Sequence, residues 1–371
     1  MNFAELLASW RRRLFVHIDP PLLLITLGIM AVGLMTVFSA TYVGGYGSKA
    51  SGQFINMLVA MVIMWTVARI PPHKLMSLAV PLYVVGIFLL ILVFLFGVKV
   101  NGARRWLSLG FTRIQPSELM KLAVPLTLAW YFHIQENRRG LIHYLIAALL
   151  LLVPFALIAK QPDLGTALLV GAAGFYVIFL AGLPWKIIIG LVVAGASAMP
   201  FLWGMLHDYQ KKRILTLIDP STDPLGSGYH IIQSTIAIGS GGFFGKGWLN
   251  GTQTHLEFIP EKHTDFIFAV FSEEWGMLGN LVLTVLYTLL IGRSMMIAVA
   301  ASTVFSRLMA GSMALMFFTY AFVNMGMVSG ILPVVGVPLP FMSYGGTALV
   351  TLFFGVGVLM SIHTHRLLVK R

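Results

Sequence analysis

The stretch MSLAVPLYVVGIFLLILVFLFGV, residues 76–98, decides the class of fold. It carries no charged side chain, and a helix needs about 20 such residues to cross roughly 30 Å of hydrocarbon. A segment in lipid must satisfy its backbone hydrogen bonds, and an apolar run this long without period-two alternation favours a helix over a barrel strand. The stretch therefore predicts a transmembrane helix.

Similar apolar stretches recur along the chain, in which 58% of the residues are hydrophobic and 10% are charged, with a mean hydropathy of +0.88. This composition excludes a soluble protein. It predicts one all-α, polytopic integral membrane domain over residues 1–371, with a large outer loop at 207–263. About ten spans are predicted, near 20–40, 54–70, 76–98, 116–134, 142–159, 166–183, 187–206, 266–292, 309–331 and 342–362.

The distribution of Lys and Arg predicts the orientation, because loops rich in these residues stay in the cytoplasm. With the N-terminus inside, every inner segment has at least one, from Arg11, Arg12 and Arg13 to Arg371. We therefore expect a multi-pass membrane protein with both termini in the cytoplasm. The chain has no cysteine, which excludes disulfides, thiolate catalysis and Cys-ligated metal sites.

Two outer segments contradict this charge pattern. They hold Lys99, Arg104, Arg105 and Arg113 in the loop at 98–115, and Lys211, Lys212 and Arg213 at the start of the long loop. Positive charge on the outer side suggests a bound anion, such as the diphosphate of a lipid headgroup. Attraction to ordinary anionic phospholipid is the alternative.

Asp265 stands in HLEFIPEKHTDFIFAVFSEEWG, residues 255–276, where a polar loop enters an apolar helix. An ionisable group at the edge of a bilayer is costly, and it is therefore a functional candidate. We interpret Asp265 as a catalytic base. A straight helix from 264 to 292 would reach about 43 Å, longer than the membrane needs, so we expect a kink or a projecting end. For Glu273 and Glu274 we favour packing or pairing over chemistry.

Three other charged residues lie in or beside predicted spans. Glu118 and Lys121 are three residues apart and share a helix face, where each can neutralise the other. A structural role and a substrate-facing role are both open for this pair, since a buried ion pair is weak evidence of stability. Asp163 follows a proline and precedes a helix, so we expect an N-terminal cap more than a ligand contact.

The long loop contains SGYHIIQSTIAIGSGG, which predicts a partly buried or re-entrant helix. The following GSGGFFGKGW fails the phosphate-binding pattern G-x-x-x-x-G-K-[ST], so no nucleotide or nucleic-acid partner is expected. Lys246 could still face an anionic headgroup. His255 and His263 are eight residues apart, which is poor spacing for a metal, and no metal site is predicted.

The last outer loop is rich in proline and glycine, in GILPVVGVPLPFMSYGGTALV. These residues break helices and expose backbone groups, which a membrane tolerates only where protein or a watery cavity covers them. We therefore expect the loop to line a cavity. Ser343 and Tyr344 are its candidate polar contacts, and a structural turn is the equal alternative.

Seven segments together resemble the SEDS family (shape, elongation, division and sporulation) and cover most of the chain from residue 101 onward. They are NGARRWLSLG at 101–110, QPSELMKLA at 115–123, QPDLGTA at 161–167, DPLGSGYHIIQS at 223–234, AIGSGGFFGKGW at 237–248, EFIPEKHTDFIFA at 257–269 and LPVVGVPLPFMSYGG at 332–346. The first hundred residues match the family only in hydropathy.

The resemblance implies a ten-helix polymerase that builds the glycan strand of peptidoglycan from lipid II during cell elongation. It implies Asp265 as the catalytic residue, Glu118 and Lys121 as a charged pair in a central cavity, and Arg104 and Arg105 as an outer basic motif. It also implies a class B penicillin-binding protein as transpeptidase partner, and the elongation proteins MreC and MreD.

The chemistry of the residues fits such a reaction, which needs a base for the attacking sugar hydroxyl and cations for a diphosphate leaving group. Asp265 would be the base, and Arg104, Arg105, Lys121 or Lys246 would hold diphosphate. A lipid II flippase is the alternative of a different class, and a scaffold that recruits a partner synthase is a third. Whether a divalent cation takes part is left open.

Overall fold

Long α-helices make up most of the protein in the computed structural model, which describes residues 16–43, 46–47, 49–100, 103–108, 113–136, 140–161, 163–205, 208–223, 226–256, 258–259 and 261–365. In chain order the helices are α1 (Pro20–Thr41), α2 (Ala50–Ala68), α3 (Pro72–Ser77), α4 (Ala79–Phe96), α5 (Pro116–Ile134), α6 (Leu141–Ala159), α7 (Leu164–Leu180), α8 (Trp185–Met205), α9 (Asp208–Ile218), α10 (Ser227–Ser240), α11 (Thr252–His255), α12 (Ile267–Val299), α13 (Val304–Val328) and α14 (Gly346–His365). The prediction of an all-α membrane bundle is confirmed.

Each of the ten predicted spans overlaps one of these helices. Seven helices of the described residues are long and apolar enough to cross a membrane, namely α1, α2, α4, α6, α12, α13 and α14. The apolar parts of α7 and α8 are shorter, and α5 carries Glu118 and Lys121. The predicted count of about ten is therefore approximate.

The helices pack as a bundle around α5, α7 and α13. Helix α5 contacts α4, α7 and α13, while α13 also packs on α7 and α12, and α14 packs along α2. Many large apolar side chains of α4, α6 and α8 are exposed, as on a surface that faces lipid. At one end of the bundle, Asp19 accepts from the Leu22 amide at 3.3 Å and binds the Arg293 guanidinium at 2.6 and 2.9 Å, which ties α1 to α12.

Helix α12 contains the expected kink. Gly276 has φ 63° and ψ −160°, and a Cβ there would lie 2.3 Å from the Gly245 backbone nitrogen, so only glycine fits. Glu273 and Glu274, just before the kink, are buried. The Ser39 hydroxyl donates to Glu274, and Glu273 pairs with Lys246. The prediction of packing and pairing for these two acids is confirmed.

The outer loops hold structure that the sequence predicted only in part. The expected partly buried helix in the long loop is α10, which packs against α12 and α13. These loops also contain short antiparallel strands that the sequence did not predict. Strand β1 (Tyr42–Val43) pairs with β2 (Tyr46–Gly47), and β4 (Ala103–Ser108) pairs with both β3 (Val98–Val100) and β5 (Arg113–Ile114). Strand β4 thereby carries the outer basic segment toward the start of α5.

Candidate active site

A cavity of about 380 Å³ opens at the end of the bundle where the long loop lies that was predicted to be outside, at 207–263. It collects residues from β4, α5, α7, α10, the loop before α12 and the loop between α13 and α14. The polar and charged residues in its lining are Arg105, Gln115, Glu118, Lys121, Asp163, Thr166, His230, Glu261 and Asp265. Five of the eight residues predicted for the site therefore share one cavity.

Three helices begin at this cavity. Gln115, Asp163 and Phe266 are the N-cap residues of α5, α7 and α12, and all three line it. The N-terminus of a helix carries a partial positive charge and backbone N–H groups without intrahelical partners, and it therefore attracts anions. The convergence of three such ends adds to the positive charge of Arg105 and Lys121.

Lys121 and Glu118 form the predicted pair on α5. The Lys121 ammonium donates to Glu118 Oε1 at 2.6 Å, and the Thr351 hydroxyl donates to Glu118 Oε2 at 3.3 Å. The ammonium also lies 5.5 Å from the centre of the Tyr320 ring. Both residues line the cavity and Lys121 is largely buried, so the ion pair lies at the boundary between the core and the site.

Asp163 links α7 to β4 and α5. Its Oδ1 accepts from the Thr166 amide at 3.2 Å, which confirms the predicted cap. Its Oδ2 accepts from Gln115 Nε2 at 3.1 Å, and Arg105 lies 3.7 Å from Oδ1. One carboxylate thus caps a helix and holds Arg105 at the cavity wall.

Asp265 stands in the turn before α12. Asn324 Nδ2 donates to the Asp265 carbonyl at 2.8 Å and to the Val337 carbonyl at 2.7 Å, which fixes the turn against the last outer loop. Within the described residues, no hydrogen bond or ion pair is made to the Asp265 carboxylate. Burial and then the charge of Glu261 raise its pKa to about 6. A half-buried carboxyl group whose pKa is raised toward neutral pH is suited to act as a general base.

The last outer loop forms one wall, as expected of its prolines and glycines. Val334, Val335, Gly336 and Pro338 line the cavity. Gly336 has φ 71°, and a Cβ there would lie 3.3 Å from Asp265 Oδ2. Absence of a side chain at this position therefore keeps the space beside the acid open.

Two residues predicted for the site are placed differently, and the side chain of a third is not described. The Lys246 amino group donates to Glu273 at 2.8 Å and to Thr252 at 2.7 Å, and it does not line the cavity. Ser343 is buried, and its hydroxyl accepts a hydrogen bond from the Leu339 amide at 2.7 Å. This contact agrees with the structural turn that was the alternative prediction for Ser343. The structure describes the backbone of Arg104 in β4, but its side chain lies outside the described part.

Sequence reasoning did not single out Gln115, His230 and Glu261, which also line the cavity. The His230 ring stacks on Phe266 with centroids 5.5 Å apart, and burial lowers the pKa of the imidazole. All three lie inside segments that carry the family resemblance, which was the available signal. Among the described residues, no three His, Asp or Glu side chains are grouped as metal ligands would be.

Comparisons with known proteins agree with this architecture. A model of the FtsW, RodA and SpoVE cell cycle proteins matches residues 20–367. The chain is 51% identical to the peptidoglycan glycosyltransferase MrdB of Escherichia coli (strain K12), over 96% of each chain. It is 32% identical to the peptidoglycan glycosyltransferase RodA of Treponema pallidum, over 94% of this chain and 98% of the relative.

Solved structures share the fold. One is a chain from a peptidoglycan synthase complex that coordinates polymerization and crosslinking, with TM-score 0.81, 35% identity, and coverage of 94% of this chain and 98% of the other. Another is the rod shape determining protein RodA of Thermus thermophilus, with TM-score 0.71, 31% identity, and coverage of 94% and 97%. The chain therefore belongs to the FtsW, RodA and SpoVE family of cell cycle proteins.

Proposed function

We propose that this protein is a peptidoglycan glycosyltransferase that polymerises glycan strands from lipid II on the outer face of the bacterial cytoplasmic membrane during elongation of rod-shaped cells. Its similarity to the glycosyltransferases MrdB and RodA supports the reaction class. The observation that carries the proposal is the cavity, in which the Asp265 carboxylate, unpaired among the described residues, shares one space with Arg105, Lys121 and three helix N-termini.

The reaction joins a sugar hydroxyl to an anomeric carbon that bears a lipid diphosphate. Asp265 takes the proton of the acceptor 4-hydroxyl while the hydroxyl oxygen attacks C1 of the donor. The bond from C1 to the diphosphate oxygen breaks, and its electron pair stays on the leaving diphosphate. Attack from the opposite face converts an α-linked donor into a β linkage. One acid is enough, because a diphosphate leaves without strong protonation.

The cations act where negative charge develops. Arg105 and Lys121 are both held in place by a carboxylate, Asp163 and Glu118 respectively, so neither has to be ordered when the diphosphate arrives. Positioned charges of this kind stabilise a transition state more than mobile ones do. In this proposal Arg104, the sequence neighbour of Arg105, is a second arginine that would bind diphosphate. Lys246 and Ser343 support the site through the outer loops that they fasten.

The partners we propose are a class B penicillin-binding protein, which would crosslink the new strand, and the elongation proteins MreC and MreD. The structural relative from a peptidoglycan synthase complex supports an assembly of this kind. Such coupling would bring polymerisation and crosslinking to the same membrane face. We further propose that both termini are cytoplasmic, as the distribution of Lys and Arg indicates.

Polymerisation of purified lipid II by the purified protein with its partner tests the proposal. We expect Asp265→Ala to lower the rate at least about 100-fold, since general base catalysis contributes this much or more. Asp219→Ala is the matched control, because Asp219 is an acid of the same outer loop whose carboxylate caps Ser221 away from the cavity. Full activity of the Asp265→Ala protein would refute the proposal.

The same assay distinguishes the flippase and the scaffold from the enzyme. In detergent there is no second leaflet, so a flippase forms no glycan product, whereas a polymerase lengthens chains. A scaffold would tolerate loss of charge at Asp265 or Glu118 as long as its partner synthase is present.

A further inference from the structure

Glu261 lines the same cavity as Asp265 and stands at the start of the turn that carries it. Its φ of 50° lies in the left-handed region, which costs a residue other than glycine of order 1 kcal/mol. The amides of Thr264 and Phe266 donate to the Glu261 carbonyl at 3.0 and 3.4 Å. The Glu261 carbonyl therefore organises the turn, and the strained backbone of Glu261 lies at the wall of the cavity.

The Glu261 carboxylate is also fixed in direction. Thr264 Oγ1 donates to its Oε2 at 2.9 Å. The neighbouring Lys262 ammonium donates instead to the Thr254 carbonyl at 2.9 Å. Among the described residues, Glu261 forms no ion pair, whereas Glu118 and Asp163 are each paired with a cation. Within the described part of the chain, the negative charge of Glu261 therefore lies next to Asp265 without a paired cation.

Among the described residues, the other charged and titratable groups around the cavity face partners of their own. Arg105 on β4 faces Asp163 at the start of α7, and Lys121 faces Glu118 on the same helix, α5. The groups that complete the surroundings are His230 on α10, which is subject to the charges of Glu261 and Asp223, and His263 in the loop of Glu261, whose Nε2 lies 2.8 Å from the Lys49 ammonium. Burial lowers the pKa of both His230 and His263, which favours the neutral form of each imidazole.

We propose that Glu261 is a positioning residue for glycosyl transfer, whose fixed negative charge makes Asp265 a stronger base for the acceptor hydroxyl. This inference rests on the proposed function, because it requires Asp265 to act as the base. The proton of the hydroxyl moves to Asp265, and Glu261 itself forms and breaks no bond. A carboxylate whose proton affinity lies closer to the working pH accepts a proton more readily in the transition state.

Carbodiimide labelling of Asp265 tests the inference without requiring polymerisation. Dicyclohexylcarbodiimide reacts with protonated carboxyl groups, and peptide mass spectrometry reports the site. In the full-length protein we expect the labelling midpoint of Asp265 to fall by about half a pH unit or more in Glu261→Gln. Glu261→Asn removes the same charge with a residue that tolerates the left-handed backbone, and we expect the same shift. Glu261→Asp keeps the charge and should keep the wild-type midpoint.

An unchanged midpoint in both neutral variants overturns the inference, and so does an equal shift in Glu261→Asp, since charge would then not be the cause. The rate of lipid II polymerisation against pH is the second readout. We expect the acidic limb to move to lower pH in Glu261→Gln and Glu261→Asn, with a lower plateau. Polymerisation by Asp265→Asn at the wild-type rate would instead refute the proposed function, while leaving the labelling result interpretable.

Discussion

Gly336 and Asp265 meet at the point where a sugar hydroxyl has to approach the base. Gly336 adopts φ 71°, and a Cβ there would lie 3.3 Å from Asp265 Oδ2. A methyl group would therefore press on the carboxylate as well as strain the backbone. The conformation of one glycine thus controls access to one acid.

We expect Gly336→Ala to lower the polymerisation rate at least about 10-fold and to destabilise the protein by about 1 kcal/mol, from the positive φ alone. Gly345→Ala is the matched control in the same loop, because no atom of the described residues other than its chain neighbours lies within 4 Å of its Cβ position, and its φ is not positive. Rates and melting temperatures of the two variants check this. Equal effects of both substitutions would show that the contact with Asp265 is unimportant.

The pKa of Asp265, raised to about 6, sets the expected dependence of activity on pH. Above this pKa the carboxylate is ionised and can accept a proton, and below it the base is already protonated. We therefore expect kcat/KM to fall with decreasing pH, with an apparent pKa near 6, and to recover when the pH is returned to 7.5. A rate that stays constant down to pH 4.5 would contradict the assignment of Asp265 as base.

Among the elements, α12 illustrates what sequence can and cannot reveal. Its excessive length predicted a kink, and its acids predicted pairing, because both are local properties of residues 264–292. The partner of Glu273 was not predictable, since Lys246 lies 27 positions earlier and meets it only when the outer loop folds back. For the same reason the sequence suggested a headgroup contact for Lys246.

Gly276 is the position on α12 where we expect the largest effect of one methyl group. A Cβ there would lie 2.3 Å from the Gly245 nitrogen, and φ is 63°. We expect Gly276→Ala to destabilise the protein by about 2 kcal/mol or more. Gly292→Ala on the same helix should be neutral or slightly stabilising, because apart from its own helix backbone and chain neighbours no atom of the described residues lies within 4 Å of the Cβ position. Thermal unfolding in detergent compares the two variants.

The Lys246–Glu273 pair calls for a double-mutant cycle. Glu273 is fully buried and also accepts from Thr252 Oγ1 at 3.1 Å and from the Gln253 amide at 3.0 Å. Lys246→Met leaves a buried carboxylate without its cation, so we expect a loss of about 3 kcal/mol. Adding Glu273→Gln should recover part of that loss. If Lys246→Met lowers activity without lowering the melting temperature, Lys246 contacts substrate instead.

For the molecule as a whole, hydropathy predicted the bundle well because crossing a membrane is a local requirement of each span. The Asp163 cap and the Glu118–Lys121 pair were equally local, since their partners lie three residues away. The meeting of three helix N-termini at one cavity was not predictable, because it depends on how α5, α7 and α12 pack. Glu261 was overlooked for a related reason: its position beside Asp265 comes from an unusual turn.

The orientation of the bundle can be tested directly because the chain contains no cysteine. Asn250 lies exposed in the long outer loop, and Ser302 lies exposed between α12 and α13. We expect a membrane-impermeant maleimide to label Asn250→Cys in intact spheroplasts and Ser302→Cys only after lysis. The reverse pattern would place the cavity on the cytoplasmic side.

The most direct test of the account is an experimental structure of the protein with a lipid-linked donor and a short glycan acceptor bound. We expect the acceptor hydroxyl within hydrogen-bond distance of the Asp265 carboxylate, and the diphosphate against Arg105 and Lys121 at the helix N-termini. Sugar bound away from Asp265, or a diphosphate seated on Lys246 with the cavity empty, would contradict the central claim.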